Sequence, residues 1–166
     1  MIEVRWHARA GQGAKTAAQL LAEAMLRAGK SVQAFPEYGP ERRGAPMRAY
    51  TRIDDKPIRR HDSVTRPDVA VVLDTSLVRE EDVTEGLTET GFVLVNAERS
   101  PAELDGVTVR CVPARAHVNV AMAGALAAAL GEPSPKDVAD AAVALLGAKV
   151  DEAALRQAAE EGFHAC

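Results

Sequence analysis

Residues 2–37 read IEVRWHARAGQGAKTAAQLLAEAMLRAGKSVQAFPE, and this stretch decides the fold. Ile2–His7 reads as a short strand, with Val4 and Trp6 alternating with charged neighbours. Gly11-Gln12-Gly13 then makes a turn, because glycine reaches the positive-φ conformations that a tight reversal needs. Ala14–Ala28 reads as a helix ended by Gly29. Ala17, Leu20, Leu21, Ala24 and Met25 recur at helical spacing, so one face of it packs inward. Ser31–Glu37 reads as a second strand. The order strand, turn, helix, strand predicts a parallel pair joined by a right-handed crossover.

Further along, Met47–Asp54 alternates in part and reads as a strand, and the continuous apolar run Val69–Leu73 suits a strand buried on both faces. Gly91–Asn96 and Val107–Val112 read as two more. The C-terminal third changes character. His117–Leu130 is an alanine-rich helix ended by Gly131, packed either within the core or against another subunit. Ser134-Pro135 starts a second helix, serine as N-cap and proline at the first helical position, which stops at Gly147. Asp151 caps a third, Asp151–Gly162. The expected fold is a three-layer α/β/α single domain over residues 1–166. Its sheet core spans about 1–112, largely parallel or mixed, and a helical segment spans about 114–164.

Two stretches carry possible chemistry. The first is the loop Gly39-Pro40-Glu41-Arg42-Arg43-Gly44-Ala45-Pro46 between two strands. Its glycines and prolines restrict the backbone, so Arg42 and Arg43 are held at a defined place. Planar guanidinium forks recognise carboxylates and phosphates. The plainer alternative is a solvated turn on which Glu41 pairs with one arginine. The second stretch is Gly11-Gln12-Gly13, with Lys15 and Thr16 in the first helical turn behind it. Backbone N–H groups there can cradle an anion. A dinucleotide fingerprint would place a third glycine where Thr16 stands, and a phosphate loop would join Gly13 directly to Lys15, where Ala14 intervenes. Glu37 could imitate a ribose-binding acid. The structural alternative is a tight turn whose glycines admit a neighbouring backbone. Asp74-Thr75-Ser76 reads as a helix cap at the carboxyl end of a strand, where open α/β sheets bind ligands. Asn119 reads as a buried polar contact or an inter-subunit one.

These motifs form an ordered series: Gly11-Gln12-Gly13, Tyr38-Gly39-Pro40-Glu41-Arg42-Arg43-Gly44, Tyr50-Thr51-Arg52-Ile53, and Pro67-Asp68-Val69 through Leu73-Asp74. The series resembles the gamma subunit of 2-oxoacid:ferredoxin oxidoreductases over roughly residues 1–130. Many relatives carry a second glycine where Ala45 stands, and Ala45-Pro46 resembles the form of the pyruvate branch. The resemblance implies a complex that oxidatively decarboxylates a 2-oxoacid, passes the acyl group to coenzyme A and sends electrons to ferredoxin. It also implies that thiamine diphosphate and Mg²⁺ are held by alpha and beta subunits, and [4Fe–4S] clusters by beta and delta subunits. Tyr38, Gly39, Glu41, Arg42, Arg43 and Gly44 would then contact substrate, coenzyme A or a partner subunit. For Gly11, Gln12, Gly13, Lys15 and Thr16 the resemblance favours an interface turn; the residues read alone leave the alternative of an anion-binding turn in a stand-alone nucleotide-binding or regulatory module.

Composition narrows the alternatives. A chain of 166 residues that is 47% hydrophobic suffices for one core, and with 4% aromatics that core is built of Ala, Val and Leu. A net charge of −4 leaves no broad basic field for nucleic acid. No apolar run approaches the ~20 residues that span a membrane. The first residues lack a signal-peptide pattern, which points to the cytoplasm. Cys111 and Cys166 are the only cysteines, and a cluster of the [4Fe–4S] type takes about four thiolates, so this chain alone holds none. His7, His61, His117 and His164 are scattered without metal-ligand spacing, and no catalytic constellation is complete.

Overall fold

The computed structural model describes residues 1–37 and 42–166. Among them, a six-stranded sheet is built from β1 (Ile2–Arg9), β2 (Ser31–Pro36), β3 (Pro46–Asp54), β4 (Val69–Val72), β5 (Phe92–Val95) and β6 (Val109–Cys111), in the order β2-β3-β1-β4-β5-β6. The helices are α1 (Ala14–Arg27), α2 (Val118–Leu130), α3 (Pro135–Leu146) and α4 (Glu152–His164), with 3₁₀ turns at Thr75–Arg79 and Ala102–Leu104. No helix among the described residues is long and apolar enough to cross a membrane.

The sheet is mixed. β1, β4, β5 and β6 run parallel, while β3 is antiparallel to both β1 and β2. This corrects one expectation. β1 and β2 do not pair, because β3 lies between them; β3 meets β1 over its full length, from Ile2 opposite Ile53 to Arg9 opposite Pro46. The longer ladder satisfies more backbone groups, and its Val4–Thr51 and Trp6–Ala49 pairs close the core face.

The α-helices share one core with one sheet face. Val4, Trp6 and Ala8 of β1 and Val69 and Val71 of β4 pack there with the buried faces of α1 to α4. Trp6 is fully buried, and its indole N–H donates to Thr51 Oγ1 at 3.0 Å; that hydroxyl donates to the Ala18 carbonyl of α1 at 3.1 Å. The opposite face carries a thinner layer: Ala70, Val72, Val93 and Val95 pack under Val78, Val83 and Leu104, from the 3₁₀ turns and the segment between them.

α2 is apolar on every side because it lies inside the helical layer. Gly124 and Gly162 let it meet α4 at backbone distance: a Cβ at Gly124 would lie 2.3 Å from the Ala159 carbonyl oxygen, and one at Gly162 would lie 1.9 Å from that of Ala121. The caps fall where the sequence predicts. The Ser134 hydroxyl accepts from the Asp137 N–H, and the Asp151 carboxylate accepts from the Ala154 N–H.

Candidate functional site

The parallel strands β1, β4 and β5 finish at the same end of the sheet, and their continuations make the site. The chain leaving β1 crosses by α1 toward the β2 edge, whereas the chain leaving β4 passes through the Thr75–Arg79 turn toward β5 and the other edge. Connections that diverge this way open a crevice at the carboxyl ends of the strands. Here it is a cleft of about 440 Å³ lined by Gln12, Leu73, Asp74, Thr75, Asn96 and Val118.

Gln12 closes the end of β1. Its side-chain oxygen accepts from the Arg9 N–H at 2.7 Å, and its amide donates to Asp74 Oδ2 at 2.7 Å. Asp74 caps the 3₁₀ turn by accepting from the Ser76 N–H at 3.0 Å and hydroxyl at 2.6 Å. Burial works to raise its carboxyl pKa, but the hydrogen bonds from Ser76 and Gln12, with the Arg9 charge, outweigh it and hold the group below its ordinary value. Asn96, after β5, donates to the Leu73 carbonyl at 3.2 Å. Gly13 is the N-cap of α1 at φ 87°, and a Cβ there would lie 2.8 Å from Asn119 Nδ2. Asn119 of α2 thus packs onto the glycine turn, so the close approach that this turn permits is made by a side chain of the same molecule. Lys15 is exposed and Thr16 half-buried in the first turn of α1.

The two sequence motifs come together. The Ala10 N–H donates to the Ala45 carbonyl at 2.8 Å, and the Gly44 N–H donates back to the Ala10 carbonyl at 3.4 Å. Arg42 and Ala45 close a turn, with the Ala45 N–H on the Arg42 carbonyl at 2.9 Å. Arg42, Arg43 and Gly44 are exposed on it. Tyr38, Gly39 and Glu41 lie outside the described residues, and with them the Glu41–arginine pair. Glu37 is held near Arg48 and Tyr50: its N–H donates to the Arg48 carbonyl, and burial together with the Glu37 charge pushes the Tyr50 phenol up to about 12. A ribose-binding acid would stand on the strand beside β1. Because β3 intervenes, Glu37 does not.

Two features escaped the sequence reading. One is Arg9, the last residue of β1, whose guanidinium reaches both the Gly44 carbonyl and the 3₁₀ turn. The other is a buried charged layer on the face opposite α1. His7 is fully buried, with Nδ1 2.6 Å from Glu81 Oε1, and its Nε2 accepts from Arg5 Nε at 3.0 Å. That contact assigns the ring proton to Nδ1, which donates to Glu81. Arg48 Nη2 donates to the second Glu81 oxygen at 3.1 Å. Burial pushes the His7 pKa down against the Glu81 hydrogen bond, so the ring is neutral. The strict alternation of β1 carries a signal for a polar face, but not for its being covered.

The donor set does not fit an iron–sulfur cluster. Cys111 is half-buried against the smaller core, Cys166 is exposed, and no other cysteine exists. Among the described residues no group of three or more His, Cys, Asp or Glu is placed to hold a metal ion. What the arrangement does show is two exposed arginines on a turn tied to Ala10, two residues before Gln12 of the cleft.

The family model "Pyruvate ferredoxin/flavodoxin oxidoreductase" matches residues 3–165. The chain is 60% identical over 104 residues to the pyruvate/ketoisovalerate oxidoreductases common subunit gamma of Pyrococcus abyssi, covering 63% of this chain and 56% of that one. It therefore spans little more than half the length of the first curated relatives it matches. It is 42% identical over 163 residues to the pyruvate synthase subunit PorC of Methanocaldococcus jannaschii, covering 92% and 90% of the two chains. The crystal structure of the pyruvate oxidoreductase subunit PORC of Thermotoga maritima superposes with a TM-score of 0.81 at 38% identity, over 98% of this chain and 95% of that one. The chain belongs to the pyruvate ferredoxin/flavodoxin oxidoreductase family.

Proposed function

We propose that this chain is the gamma subunit of a cytoplasmic 2-oxoacid:ferredoxin oxidoreductase acting on pyruvate, with residues 1–166 as one gamma-type domain. Alpha and beta subunits bind thiamine diphosphate and Mg²⁺, and beta and delta subunits carry the [4Fe–4S] clusters. The complex decarboxylates the 2-oxoacid, transfers the acyl group to coenzyme A and passes two electrons to ferredoxin. The gamma chain supplies no redox centre. Its part is to present the Arg42–Arg43 turn, beside the Gly11–Gly13 turn, to a phosphate or carboxylate of coenzyme A, the 2-oxoacid or a partner subunit.

The observation that carries this reading is the pairing of the two motif turns. Ala10 exchanges backbone hydrogen bonds with Gly44 and Ala45, which ties the turn that carries the exposed arginines to the segment leading into Gln12 of the cleft. The test is anaerobic reconstitution with the alpha, beta and delta subunits, assayed for pyruvate-, coenzyme A- and ferredoxin-dependent turnover. Replacing both Arg42 and Arg43 by alanine is expected to weaken assembly or raise the KM for coenzyme A about tenfold or more, the scale of a lost charge-assisted hydrogen bond. Unchanged assembly and unchanged kinetic constants would remove the role given to this turn.

A further inference from the structure

Arg9 makes more contacts than a surface ion pair requires. Its Nη1 donates to the Gly44 carbonyl at 3.1 Å and to Glu80 Oε2 at 3.2 Å. Its Nη2 donates to Ser76 Oγ at 2.6 Å and to Glu80 Oε1, and its Nε donates to the same Ser76 hydroxyl at 3.1 Å. Asp74 Oδ2 lies 3.5 Å from Nε. Every N–H-bearing nitrogen of the fork is engaged, on two separate segments of chain: the turn at Gly44, and the Thr75–Arg79 turn with its Asp74 cap and the Glu80 that follows. Asp74 in turn holds Gln12, which lines the cleft.

Among the described residues, Arg42, Arg43 and Gly44 are exposed, and outside the β1–β3 ladder, which ends at Arg9 opposite Pro46, the backbone bonds from this turn to the chain leaving β1 are the two at Ala10. Gly44 takes φ 80°, a conformation open to glycine, and a Cβ there would meet nothing within 4 Å. The Gly44 carbonyl accepts from Arg9, while the Gly44 N–H donates to Ala10 and the Ala45 N–H to Arg42.

We infer that Arg9 is a positioning residue: its guanidinium fork fixes the Arg42–Arg43 turn against the Asp74-capped 3₁₀ turn and so sets where the two exposed arginines stand at the cleft. Its consequence for coenzyme A rests on the function proposed above; the placement of the turn does not. A rigid planar fork can hold Gly44, Ser76 and Glu80 at once, whereas a lysine ammonium has no such geometry and satisfies fewer of them. The Arg9→Lys protein is accordingly intermediate between the parent and Arg9→Gln.

Trypsin reads the placement directly, because it cleaves after Arg42 and Arg43. Cleavage there in the full-length chain is compared with cleavage after the exposed Arg115, 86% accessible, as an internal reference. When opening and closing are fast, proteolysis follows the population of the locally opened turn, so Arg9→Gln is expected to raise the Arg42/Arg43-to-Arg115 ratio about fivefold or more, with Arg9→Lys between. An unchanged ratio overturns the inference. In the reconstituted complex, Arg9→Gln is expected to raise the KM for coenzyme A with kcat held, and to add nothing further to Arg42→Ala/Arg43→Ala. A raised trypsin ratio with unaltered kinetics leaves Arg9 as the anchor of the turn and removes the ligand role of Arg42 and Arg43. A raised KM with an unaltered trypsin ratio overturns the inference, since Arg9 would then act on the ligand itself.

Discussion

Replacing Gly162 by alanine sets two effects of opposite sign against each other. Helix propensity alone favours alanine over glycine by at most about 1 kcal/mol, and less here because Gly162 lies in the last turn of α4. Packing opposes the change. The new Cβ would stand 1.9 Å from the Ala121 carbonyl oxygen, 2.6 Å from its carbon and 2.8 Å from its Cα. All three are backbone atoms of α2, so no side-chain rotation relieves the overlap, and α4 must back away by about 1 Å, losing dispersion contacts along the crossing. Overpacking of this kind costs about 1–3 kcal/mol, and a backbone obstacle puts the cost at the upper end. The net expectation is a loss of about 2 kcal/mol, with a Tm lower by about 4–8 °C for a chain of this length. Urea unfolding followed by far-ultraviolet circular dichroism measures it, with the slope m unchanged if only the native state is affected. Gly124→Ala, whose Cβ would lie 2.3 Å from the Ala159 carbonyl oxygen, is expected to act in the same direction and less strongly. A midpoint that stays level or rises in both variants would show that α2 and α4 do not cross at backbone distance.

Two further outcomes follow from the buried charged layer. His7 faces Arg5, Arg48 and Glu81, and its folded pKa lies below the ordinary 6.5, so the unfolded chain binds more protons as pH falls through that value. Stability is therefore full above about 6.5 and declines as pH drops toward the lower folded pKa; the urea midpoint should fall between about pH 7 and pH 5, with a flatter profile in His7→Gln, and a level parent profile would contradict a neutral buried imidazole. Arg52 is fully buried, with Nε donating to Glu3 Oε1 at 2.7 Å and Nη2 to the Asp62 carbonyl at 2.7 Å, so Arg52→Ala leaves Glu3 without its main partner and is expected to cost about 3 kcal/mol in urea unfolding. The cost sits at the low end for a broken buried pair because Arg60 Nη1 stands 3.6 Å from the same carboxylate oxygen, and a loss under about 1 kcal/mol would mean that this cluster is solvated.

The helices were legible because their signals are local. Ser134 with Pro135, Asp151, and the stop at Gly131 act within one turn of the residues they cap, and each is observed in that role or place. The Asp74 cap was legible for the same reason, although the element it starts is a 3₁₀ turn rather than an α-helix. Of the candidate site, the two motif turns and the strand-end position of Asp74 could be read from residue type and spacing. Their contact could not, since Ala10 and Gly44 meet only after β3 has folded back onto β1. Arg9 gave no sign of its role, because a charged residue at the end of an alternating strand reads as a solvated one.

What the sequence by itself determined is therefore the set of parts: the strands and helices, their caps, the glycine turns and the ordered motifs that mark the family. Each depends on neighbours a few residues apart, where propensity, capping and periodicity act. What only the tertiary structure decided is how those parts meet: β3 inserted between β1 and β2, α2 enclosed by the other helices, Asn119 laid on Gly13, and Arg9 joining Gly44 to Ser76 and Glu80. The buried face of Arg5, His7 and Arg52 shows the reason. An alternating strand specifies which residues share a face, but whether that face meets water depends on chain far away in sequence, here Val83, Glu85 and Asp62, which accept hydrogen bonds from those arginines through their backbone carbonyls.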